Sequence, residues 1–138
     1  MDIQFPIQSL EVAATYKAMP TSIRGKLLGI RQQIFEVAAA SDQIGSIDEC
    51  LKWGEASYLT KTPKSGTTVR LGYKSASNQY AIYVPCQTSL IQQARENYPN
   101  SLTFEKNRAI LFEEGEDFPI DVVREFLKKA LSYHLKTS

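Results

Sequence analysis

The sequence predicts an α+β fold in which N- and C-terminal helices pack on an antiparallel sheet of about five strands. Three features carry that expectation. Apolar residues recur at helical spacing near the start of the chain, several strand-like segments joined by short turns follow, and an amphipathic stretch behind Pro119 closes it. Parallel neighbours need long crossover connections, so the short turns make the middle of the chain an antiparallel meander.

Gln8 to Ala18 is the first expected helix, with Leu10, Ala13, Ala14 and Tyr16 available to one side and Pro20 as its stop. Thr21 to Ala40 is the second. There Ile23, Leu27, Ile30, Ile34 and Val37 form one apolar stripe, widened by Leu28 and Phe35. Gly25 and Gly29 lower its helix propensity, so packing must support it. After a turn over Ser41–Ser46, Ile47–Trp53 is expected to be extended and Tyr58–Thr62 a strand. Pro63-Lys64-Ser65-Gly66 has turn chemistry. Thr67–Tyr73 alternates Val69, Leu71 and Tyr73 against Thr68, Arg70 and Gly72, the period of a half-buried strand. Ser75–Asn78 is a polar turn before the strand Gln79–Pro85. Thr88 is an N-cap candidate for a helix to Asn97, and Tyr98-Pro99-Asn100 stops it. Short strands are expected at Leu102–Phe104 and Ala109–Phe112. Pro119 opens the last helix, whose inner face would gather Ile120, Val123, Leu127, Ala130, Leu131 and His134.

The length of 138 residues fits one domain, residues 1–138, and 43% hydrophobic content is enough for a core. A formal net charge of +1 argues against a broad electrostatic grip on nucleic acid. Charge is nonetheless uneven. Lys17, Arg24, Lys26 and Arg31 lie in a stretch without anions and are expected on solvated helix surface, while Glu113, Glu114, Glu116 and Asp117 form an acidic run. Cys50 and Cys86 lie far apart and show no zinc-ligand spacing, which points to two free thiols in a reducing cytoplasm. Met1–Gln4 lacks the cationic start of a secretory signal, and no apolar run approaches a membrane span, so neither export nor a membrane is expected.

Chemistry-bearing motifs are few. No phosphate loop, GxGxxG fingerprint or EF-hand spacing occurs. The lone histidine, His134, is placed in the last turn of the final helix, where the helix dipole favours a cation. The acidic run offers oxygen ligands to a hard cation, and it equally suits a position just before a helix N-terminus. Trp53-Gly54-Glu55-Ala56-Ser57-Tyr58 stands out, because Trp and Tyr join an apolar face to a polar tip. Two readings of it are open: pocket wall, or Trp53 filling the core beside a Gly54 turn. Arg70 and Arg108 can hold a carboxylate or phosphate bidentately, or pair internally with Glu55 or Glu105.

Leu51-Lys52-Trp53-Gly54-Glu55-Ala56-Ser57-Tyr58-Leu59-Thr60, the strand pair at Thr67–Arg70 and Tyr80–Val84, Cys86-Gln87-Thr88, Asn107-Arg108-Ala109-Ile110 and Ala130-Leu131-Ser132-Tyr133-His134 together resemble the YdhG-like family of bacterial domains of unknown function. The resemblance covers roughly Ile23 to His134 and rests on the order of the motifs. It implies helices around an antiparallel sheet and no established general activity. Some members are described as frataxin-like iron chaperones, which implies iron held by acidic residues. Ala56 stands where many relatives have Pro, a departure that loosens the turn after Glu55.

The leading expectation is a non-enzymatic binding or accessory domain. Trp53, Glu55, Tyr58, Arg70 and Arg108 on one sheet face would hold a small polar or anionic ligand or a peptide. One alternative is an iron carrier using Glu113, Glu114, Glu116 and Asp117. The other is an enzyme with Cys86 or Glu55 as its reactive group.

Overall fold

The computed structural model describes residues 5–61 and 63–135. Its element order is α1 (Leu10–Lys17), α2 (Thr21–Ala39), β1 (Asp48–Lys52), β2 (Glu55–Leu59), β3 (Val69–Lys74), β4 (Gln79–Tyr83), α3 (Leu90–Asn97), β5 (Thr103–Glu105), β6 (Ala109–Glu113) and α4 (Ile120–Leu131). The α+β class is as expected, with six strands rather than five, because Asp48–Lys52 pairs fully with β2. Strand order is β1-β2-β3-β4-β6-β5, and every neighbouring pair is antiparallel.

Alternation along the strands gives the sheet two distinct faces. One row across it reads Leu51, Ala56, Leu71, Ile82, Ile110, Phe104, and this face meets the helices. Val12 and Tyr16 of α1, the α2 stripe Ile23, Leu27, Ile30, Ile34 and Val37, Leu90 and Ile91 of α3, and Val123, Phe126 and Leu127 of α4 all join one core with it. Each such fully buried Leu or Ile contributes roughly 1.5–3 kcal/mol by leaving water. Gly29 serves this packing, since a Cβ there would sit 3.2 Å from the ring of Phe118. Arg124 ties α4 to α2 by donating to Gln33 and Glu36. No helix among the described residues is long and apolar enough to cross a membrane.

Several boundaries differ from expectation for local reasons. β2 begins at Glu55, not Tyr58, because Trp53 and Gly54, at φ 56° and 77°, make a two-residue hairpin turn that pairs Lys52 with Glu55. Thr62, the end expected for that strand, lies outside the described residues, as do Met1–Gln4. Thr88 does not cap α3. Its hydroxyl donates to the Pro85 carbonyl, and Ser89 occupies the cap position. α4 ends at Leu131, so His134 lies in turns beyond the helix and is exposed. Leu10 and Ile120, expected on inner faces, are largely exposed because each is the first residue of its helix.

Candidate functional site

The second sheet face carries no helix among the described residues. Its central row is Cys50, Ser57, Arg70, Tyr83, Ala109, Glu105, and the adjacent row runs Gly72, Ala81, Leu111, Thr103. Ser57, Ala81 and Ala109 are nonetheless fully buried. Long side chains laid across the sheet cover them. Arg70 Nη1 lies 3.4 Å from Glu55 Oε1, and the guanidinium carbon stands 5.8 Å from the centre of the Tyr83 ring. Lys74 reaches from β3 across β4 and β6 to Glu105, with Nζ 2.5 Å from Oε2.

Gly72 makes this arrangement possible. A Cβ on it would lie 2.6 Å from Glu55 Oε2 and 2.9 Å from Cε2 of Tyr83, so the missing side chain is the bed on which the carboxylate and the ring rest. Burial raises the Glu55 pKa, opposed by the charges of Arg70 and Arg108. Burial also raises the Tyr83 pKa, with Glu55 and Glu105 adding to it. Glu105 is shifted down, chiefly by its hydrogen bond from Lys74. Its other oxygen, Oε1, is buried and accepts no hydrogen bond among the described residues. A buried acceptor without a donor is rare in folded proteins, and it marks a place where a ligand N–H or O–H is favoured.

Of the five residues expected together, Glu55 and Arg70 meet on this face, and the exposed Arg108 at the β5–β6 turn influences Glu55 and Glu105 by its charge. Tyr83, Lys74 and Glu105 complete the group. Tyr58 does not belong to it. Tyr58 lies three residues from Glu55 along the strand, and an odd separation places it on the opposite, helix-covered face.

Trp53 is neither core nor pocket wall: it is 88% exposed at the tip of the β1–β2 hairpin. A bulky residue at positive φ carries strain of order 1–3 kcal/mol. Trp53→Asn supplies the residue this turn prefers and removes little packing. It is expected to raise stability by about 1 kcal/mol, or roughly 3–5 °C in Tm by differential scanning calorimetry.

Behind the sheet lies a buried polar network that the sequence reading missed. Arg31, expected on solvated surface, and Glu49 are only 6% and 9% exposed. Arg31 donates Nε and Nη2 to the two Glu49 oxygens and Nη1 to the Phe5 carbonyl, while stacking 4.6 Å from the centre of the Phe35 ring. Tyr58 donates to Glu49 Oε2 at 2.7 Å, which leaves Tyr16 as donor in the 2.6 Å Tyr16–Tyr58 bond. Burial holds both phenols far above the ordinary tyrosine range, and the Glu49 charge adds to it, so both stay protonated donors. Every member is satisfied, as a framework network requires.

The acidic run is engaged by the protein's own donors. Gln79 donates to Glu113, Ser22 and Asn78 to Glu114, and Lys26 to Asp117, while Glu116 Oε1 accepts the Glu113 amide. Among the described residues no group of three or more His, Cys, Asp or Glu is gathered to hold a metal ion. Cys50 is half-buried and Cys86 exposed, the latter 3.7 Å from Gln87 Oε1. No protein-family model, curated protein or solved structure matches the chain.

Proposed function

We propose that this chain is a YdhG-like binding or accessory domain of the bacterial cytoplasm. It holds a small polar or anionic ligand, or a peptide, on the helix-free face of its sheet. The observation that carries this reading is the group Glu55, Arg70, Tyr83 and Glu105, in which Glu55 and the Tyr83 ring rest on Gly72 and a buried acceptor is left without a donor at Glu105 Oε1. The arrangement suits a ligand with two kinds of group. An acidic group would compete for the forked guanidinium of Arg70, with Arg108 nearby. An N–H or O–H donor would satisfy Glu105. The chemistry is recognition by the partly exposed side chains of Arg70 and Glu105, which overlie the buried Tyr83 ring and the Gly72 bed.

A thermal-shift screen of polar metabolites and short peptides tests this, since any ligand of the native state raises its stability. Hits are expected to lose at least about 1.4 kcal/mol of binding, a factor of ten, in Arg70→Ala. If every hit binds Arg70→Ala and Glu105→Gln as it binds the unaltered chain, the face is not the site.

A further inference from the structure

A cavity of about 460 Å³ lies where the β2–β3 loop meets the turns beyond α4. It is lined by Leu59, Thr60, Lys61, Lys64, Gly66, Thr68 and His134. Its volume is within the roughly 300–1,000 Å³ of small-molecule sites. Three of the lining residues are basic. Lys61 has only a loose pairing to Asp48 at 3.9 Å, with both groups well solvated, and Lys64 forms no ion pair among the described residues.

The loop that presents them is built firmly. Ser65 is buried and donates its hydroxyl toward the carbonyls of Ile44 and Leu131, at 3.0 and 2.9 Å. The Thr67 amide donates to the Ala130 carbonyl at 2.9 Å, and the His134 amide to the Ser65 carbonyl at 2.8 Å. The Gly66 amide donates to Thr60 Oγ1 at 2.9 Å. Gly66 has no room for a side chain, because a Cβ there would overlap the backbone of Leu131. The backbone floor from Ser65 to Thr67 is therefore fixed, and the lysine side chains are what binding has to order.

We infer that this cavity binds the phosphate group of a small organic phosphomonoester. Lys61 and Lys64 would serve as its cations, His134 as an imidazole N–H donor, Thr68 as a hydroxyl donor and Leu59 as the surface for the organic body. Lysine binds phosphate as a point charge, and a phosphomonoester dianion gains more Coulomb attraction from the same two ammonium groups than a singly charged carboxylate does. The inference does not rest on the ligand proposed for the Arg70 face.

Phenyl phosphate and benzoate, titrated into the full chain at constant ionic strength and followed by amide NMR, test it. Phenyl phosphate is expected to shift the amides of Lys61, Gly66, Thr68 and His134 and to bind more than tenfold tighter than benzoate. The exposed pair Lys61→Gln/Lys64→Gln, its fold checked by circular dichroism, is expected to weaken phenyl phosphate more than tenfold. Three results would overturn the inference: no shift at these amides, equal binding of the two ligands, or binding lost in Arg70→Ala while the double lysine variant keeps it.

Discussion

Arg31→Met is expected to lower the unfolding free energy by about 3–5 kcal/mol, because it leaves the Glu49 carboxylate buried without its cation. The Phe5 carbonyl loses its donor in the same step, and the Phe35 ring loses the guanidinium stacked on it. Urea denaturation measures the loss. Replacing both partners, as Arg31→Met/Glu49→Leu, removes the stranded charge and is expected to recover most of it, even though Tyr58 then lacks its acceptor. A single variant that loses less than about 1 kcal/mol would mean that the pair behaves as a solvated surface bridge.

Gly66→Ala is expected to cost about 3 kcal/mol, the upper end of ordinary overpacking, for a different reason. The new methyl meets the backbone carbonyls of Leu131 and Ala130, which cannot swing away as a flexible side chain would. Relief requires the β2–β3 loop to lift from the end of α4, which breaks the Ser65 and Thr67 bonds that join them. Amide hydrogen exchange distinguishes this from global loosening: protection should fall first at Gly66, Thr67 and His134. Gly25→Ala is the contrasting case, since that position has open space around it and gains helix propensity.

These two sites show where sequence reasoning reached and where it stopped. The α2 stripe was legible because a 3.6-residue period fixes which side chains share a face, and all five of its residues are buried. Arg31 is buried although its charge suggests solvent. It lies three residues after Leu28 and four before Phe35, on the flank of the same stripe, and Glu49 shares strand parity with Leu51. Those offsets were the available signal. Proximity in sequence groups Tyr58 with Glu55, although three strand steps put them on opposite faces. The Arg70–Glu55 pairing is legible as one of two internal pairings: alternation gives the face for Arg70, and the β2–β3 register, Ala56 opposite Leu71, selects Glu55 over Glu105. Tyr83, Lys74 and Glu105 come from three different strands, and their convergence depends on a strand order that local patterns do not encode.

The most direct test of the binding face is amide chemical-shift mapping with the strongest hit of the metabolite and peptide screen. Perturbations are expected along Glu55–Ser57, Arg70–Lys74, Ala81–Tyr83 and Glu105–Ala109, the segments whose alternate residues pave the helix-free face. Perturbations confined to the helices, or to the groove beside Phe5 and Phe35, would contradict this placement of the site.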